Sequence, residues 1–82
     1  MSAKVRVDNL SKKTDDDTMR WAFSEFGTVL DSIVLRDRDT GESRGFGFVT
    51  FGSPQEAEAA IAGLNEQEID GSRIRVVHAN SR

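Results

Sequence analysis

The nine residues SRGFGFVTF, Ser43 to Phe51, restrict the fold of this chain more than any other stretch. They read as a β-strand, and neighbours along a strand point to opposite faces. One face then carries Gly45, Gly47, Val49 and Phe51, and the other Arg44, Phe46, Phe48 and Thr50. Aromatic bulk therefore sits on both sides. An ordinary one-sided sheet sends a polar row to water. This strand offers two phenyl rings beside an arginine instead. The chain must pack one face of the strand and leave rings on the other.

The flanking segments say how. KVRVDNL alternates Val5 and Val7 with Lys4, Arg6 and Asp8, the period of a half-buried strand. Thr14 then reads as an N-cap, followed by three acids where the helix dipole favours negative charge. Met19, Ala22, Phe23 and Phe26 make a helical stripe that Gly27 ends. TVLDSIVLR is a second strand, and DRDTGES a hairpin loop into the third. Ser53, Pro54 and Glu56 predict a capped helix start with a closed capping box, followed by the stripe Ala57, Ala60, Ile61 and Leu64. An Asp70-Gly71 turn leads to a last strand, RIRVVHA, with Ile74 and Val76 facing in. The expected fold is α+β: a βαββαβ ferredoxin-like sandwich, a four-stranded antiparallel sheet with two helices on one face.

With 82 residues the chain is expected to be one domain, its core about 4–79, with NSR at 80–82 as the start of a tail. It has no cysteine, which removes disulfides and zinc-thiolate sites. No apolar run reaches the roughly 18–20 residues of a membrane helix, so a soluble domain without membrane association is expected, and separately one that is monomeric and takes no cofactor. The net charge of −3 argues against a phosphate-binding role only until its distribution is considered. Asp15, Asp16, Asp17, Glu25, Glu56, Glu58, Glu66 and Glu68 lie in or beside helical segments. Lys4, Arg6, Arg36, Arg44, Arg73 and Arg75 lie in or beside strands. Helices on one face of a sheet would put acid behind and base in front.

In that arrangement Val49 and Phe51 face the helices, and Phe46 and Phe48 point to the uncovered side. Gly45 and Gly47 fall on the helix side, where the missing side chains let a helix approach. Lys4, Arg6, Arg73, Arg75 and Val77 would flank the rings, with Ile33 and Leu35 beside them unless a bulge swaps their side. Unpaired bases stack on aromatic faces while their phosphates take cations. Each stack is worth about 1–3 kcal/mol. His78 and Asn80, past the last strand, are placed to hydrogen-bond a base edge.

Arg44-Gly45-Phe46-Gly47-Phe48-Val49-Thr50-Phe51 resembles, at every constrained position, the octapeptide of the RNA recognition motif. Val5 to Leu10 resembles the shorter hexapeptide of the same family, and the likeness runs from about Lys4 to Ala79. DRDTGESRGFGFVTF and the ending NSR look most like the glycine-rich and cold-inducible RNA-binding proteins. Those carry one such domain before a disordered glycine-rich tail and act as RNA chaperones or RNA-processing factors, in the nucleus and cytoplasm. The resemblance implies that Phe46 and Phe48 touch base and sugar and that Arg44 pairs with phosphate. The hexapeptide's second position is normally aromatic; here it is Arg6. One stack is thereby exchanged for a cation, which lowers the expected affinity and raises its salt dependence. The expected partner is single-stranded RNA, and single-stranded DNA stays open because no residue is identifiable as a ribose reader.

Trp21 stands apart. It lies about 200° around the helix from Met19, off the core stripe and behind the sheet. It either lies flat over aliphatic neighbours or anchors a protein partner, the runner-up function for this chain. Asp15-Asp16-Asp17 reads as helix capping rather than a metal site. The same fold hosts small phosphatases, but VDNLSKKT supplies no glycine-rich anion cradle around Asn9, and His78 has no nucleophile to serve, so no catalysis is expected.

Overall fold

The computed structural model describes residues 3–79; the expected tail at 80–82, Asn80 included, lies outside them. Strand β1 (Lys4–Asp8) is followed by helix α1 (Asp16–Phe23), which runs into a 3₁₀ turn (Ser24–Phe26). Strands β2 (Val29–Arg36) and β3 (Ser43–Phe51) form a hairpin, and helix α2 (Pro54–Leu64) follows. A small hairpin, β4 (Glu68–Ile69) and β5 (Ser72–Arg73), precedes the last strand, β6 (Arg75–His78). The main sheet has the order β2-β3-β1-β6, antiparallel throughout, so the expected sandwich is the observed one.

Its core follows the alternation of the strands and the stripes of the helices. Val5 and Val7 of β1, Val49 and Phe51 of β3, and Val76 of β6 are buried against Met19 and Phe23 of α1 and Ala57 and Ala60 of α2. The Phe23 and Phe51 rings meet at 6.3 Å between centroids, joining α1 to the centre of the sheet. Burial of each such side chain contributes about 1.5–3 kcal/mol.

Local details depart from expectation where a tertiary partner outbids the local one. Asp15, not Thr14, caps α1: its carboxylate accepts the Thr18 amide at 2.8 Å. Thr14 is buried, and its hydroxyl donates to Asp70 at 2.7 Å, stapling the helix start to the small hairpin. Ser53 and Pro54 open α2 as expected. Glu56, however, turns its carboxylate to the Thr28 amide at 3.2 Å, so α2 is tied to the start of β2. Where a Gly27 Cβ would stand, the Glu56 side chain passes, so the glycine there makes room; its backbone is extended rather than left-handed. Asp16 accepts the Val34 amide at 2.7 Å, which satisfies a donor on the sheet-edge strand β2 and shields that edge.

The last strand is shorter than RIRVVHA suggests. Asp70 and Gly71, both at positive φ, form the two-residue turn of β4–β5, and that hairpin takes Ser72 and Arg73 out of the main sheet. Ile74 is buried, and pairing with β1 begins only at Arg75.

Candidate nucleic-acid interface

Both helices cover the valine face, and strand register fixes what the opposite face displays. Residues directly across an antiparallel pair share a face. Phe48 stands opposite Arg6 on one side and Ile33 on the other, and Arg6 stands opposite Val77. One row therefore crosses the whole sheet: Ile33, Phe48, Arg6, Val77. A neighbouring row holds Phe46, Asp8 and Arg75, and another Asp31, Thr50 and Lys4. Ile33 and Val77 are 43% and 39% exposed, flanking the half-buried rings with open apolar surface.

The two rings form one edge-to-face unit, with centroids 6.1 Å apart and planes at 83°. Cations already lie against them. The Lys4 ammonium is 4.7 Å from the Phe48 centroid, and the Arg6 guanidinium carbon is 4.7 Å from that of Phe46. Arg44 approaches Phe46 from its own strand at 5.8 Å. Asp8 holds Arg6 in place, accepting from Nε at 2.8 Å. That bond uses Nε alone, so the two terminal nitrogens can still donate to a ligand. The surface offers π-faces for flat apolar rings and charge for anions at the same spots.

The glycines of this strand serve different ends. Gly47 has no room for a Cβ, which would meet the carbonyl oxygen of Ile33 and stand 3.1 Å from the Met19 methyl. Close approach is thus required, to the neighbouring strand as well as to a helix. Gly45 faces no helix; it has φ +85°, and its carbonyl accepts the Leu10 amide at 2.8 Å. Only glycine adopts that conformation without strain.

Lys4, Arg6, Arg44, Phe46, Phe48 and Arg75 are brought together on the open face or its border. Arg73 is not: it belongs to the small hairpin, with its guanidinium 3.9 Å from Glu66. The side chain of His78, paired with Val5, has the helix-side parity, so it is exposed at the edge behind the open face. Leu35 lies between Val34 and Arg36, where the register shifts, and has no partner across the ladder, so it joins none of these rows. It lines a hollow of about 480 Å³ with Arg36, Arg38 and Arg44 at the β2–β3 loop. Asp37 orders that loop by accepting the amides of Thr40 and Asp39, which lower its pKa. Arg38 and Asp8 were not picked out by sequence pattern. Asp8 was legible, because it shares β1 parity with Arg6; Arg38 became visible only through the bend of the loop.

The sequence pattern of the RNA recognition motif matches residues 5–75. This chain belongs to the RNA recognition motif family. The family is a non-enzymatic one, which removes the phosphatase alternative. This RNA recognition motif is 63% identical over 82 residues to glycine-rich RNA-binding protein 1 of Mycosarcoma maydis. It is 49% identical over 76 residues, 93% of its length, to a glycine-rich RNA-binding protein of Daucus carota. It covers 47% and 48% of those two relatives, so it spans about half their length. Among solved structures it is similar to RNA binding protein PG1, with a TM-score of 0.93 and 34% identity over 99% of this chain and 98% of that one. The first two RNA recognition motif domains of the yeast poly(U) binding protein Pub1 give a TM-score of 0.90 and 36% identity, covering 95% of this chain and 47% of that one.

Proposed function

We propose that this domain binds single-stranded RNA on its open sheet face, within a protein that serves RNA processing or acts as an RNA chaperone. The observation carrying this reading is the Phe46–Phe48 pair, uncovered by either helix and bordered by Lys4, Arg6 and Arg44. Bases stack on the rings while phosphates follow the cations, which gives binding that tolerates many sequences. Arg6 takes the place of a third ring, so a base entering over Phe46 either displaces the guanidinium or stacks on it. An affinity near micromolar or weaker, a binding free energy no more favourable than about −8 kcal/mol, is expected for the domain alone. Relatives named as glycine-rich RNA-binding proteins support the reading, as does the poly(U) binding of Pub1. Nuclear and cytoplasmic residence is part of the same proposal and is tested by imaging the tagged protein.

The deciding experiment is an NMR titration of the ¹⁵N-labelled chain with a short unstructured RNA of mixed sequence, repeated with the matching DNA. Shifts concentrated at Arg6, Arg44 to Phe48 and Arg75 to Val77 are expected. Unmoved amides across that set would overturn the proposal. Equal titration by DNA would mean that the face reads stacking and phosphate but not the ribose.

A further inference from the structure

The helix side carries a second feature that RNA binding leaves unused. Trp21, the single tryptophan, is 74% exposed, so it does not lie flat over its neighbours. It borders a groove of about 390 Å³ between α1 and the start of β2, walled by Asp17, Ser24 and Val29. Arg20, also on the groove, donates to the Val29 carbonyl at 3.0 Å. Asp17 and Trp21 stand at i and i+4 of α1, which puts them on one helix face, and Glu25 follows four residues on, in the 3₁₀ turn that continues the helix. All three are exposed, and neither carboxylate has a hydrogen-bond or ion-pair partner among the described residues. An indole thus stands between two unpaired acids.

We infer that this stripe is a docking site for an extended, arginine-bearing peptide segment of a protein partner. The chemistry selects arginine: its guanidinium stacks on an indole face and also pairs with carboxylates. The spacing selects an extended chain with arginine at alternate positions. Four residues of α-helix rise about 6.0 Å, and the four from Trp21 to Glu25, half of them in the 3₁₀ turn, about 7 Å. Two residues of extended chain rise about 6.6 Å, and both side chains point the same way. Three alternate arginines then reach Asp17, Trp21 and Glu25 in turn, and the residues between them face away. This inference is independent of the RNA reading, because α1 packs on the opposite face of the sheet from Phe46 and Phe48.

The test uses two acetylated heptapeptides of equal charge, without RNA present. One alternates alanine with three arginines; the other holds the three arginines contiguous at its centre. Amide shifts of the ¹⁵N-labelled chain and Trp21 emission are followed. The alternating peptide is expected to move the Asp17 to Glu25 amides and to bind about three- to fivefold more tightly than the contiguous one. Trp21→Ala should weaken it about fivefold, as expected for loss of a cation–π contact of about 1 kcal/mol. The double variant Asp17→Asn, Glu25→Gln keeps the indole and should lose most of the salt dependence. Equal binding of the two peptides, or binding indifferent to Trp21→Ala, would reduce the effect to general attraction toward an acidic protein and overturn the inference. A separate RNA titration that shifts Trp21 emission would assign this face to nucleic acid, with the same consequence.

Discussion

Phe46 and Phe48 are half-buried on a face that no helix covers, so truncating either removes ligand contact with little cost to the core. Phe46→Ala and Phe48→Ala are each expected to weaken RNA binding by about 1–3 kcal/mol. Isothermal titration alongside thermal melting separates that loss from unfolding. Arg6 makes the opposite prediction. Arg6→Phe exchanges a cation for a stacking surface, so affinity should rise at moderate salt while the slope of log K against log salt falls by about 0.7. Affinities measured between 50 and 300 mM salt decide it, and an unchanged slope would show that Arg6 meets no phosphate. Gly45 and Gly47 sit side by side with the rings yet answer to backbone demands. Gly47→Ala forces its new methyl group against the Ile33 carbonyl and should cost about 1–3 kcal/mol of stability. Denaturant melts read this directly.

At the scale of elements, three carboxylates hold backbone amides, two of them between elements and one at the start of α1. Asp16 holds the Val34 amide, Glu56 the Thr28 amide, and Asp15 the Thr18 amide. The backbone amide of Thr18, followed by its hydroxyl, holds the Asp15 carboxyl below its ordinary value of 3.8. A carboxyl lowered on folding contributes stability above its unfolded pKa, and that contribution fades as pH falls through the folded value. The fade belongs below about pH 4, the ordinary carboxyl range. Asp15→Asn still caps the helix but does not titrate. Its melting temperature should therefore depend less on pH between 5 and 2 than that of the wild type. Parallel curves would mean that Asp15 adds nothing to acid unfolding.

Across the whole molecule, the two sides of the sheet carry unlike charge. The net charge of −3 hides a sheet face with Lys4, Arg6 and Arg75 and a helical layer with Asp17, Glu25 and Glu58. Screening reaches about 8–10 Å at physiological salt, so a charge behind the sheet has little hold on a ligand in front of it. Neutralising Asp17 and Glu25 together should leave RNA affinity within about twofold at 150 mM salt. Fluorescence anisotropy with a labelled RNA checks this. A larger change would mean that the two faces are coupled.

Much of this was legible in the residues themselves. The alternation of β1 and β3 and the i, i+3, i+4, i+7 stripes of α1 and α2 depend on local periodicity alone, so they named the sandwich, its core and the outward rings. Strand parity also gave Arg6 and Arg75, and the turn of the helix put Trp21 off the core stripe. Choices among partners distant in sequence were not legible. Asp70 claimed Thr14 from its expected cap, and Thr28 claimed Glu56 from its capping box. The β4–β5 hairpin drew Arg73 out of the main sheet toward Glu66, and pairing with β1 put His78 on the other side of its strand from the rings. Periodicity says which way a side chain points relative to its neighbours in the chain. It does not say which distant donor or acceptor will be nearest once the chain closes, and hydrogen bonds go to whichever is.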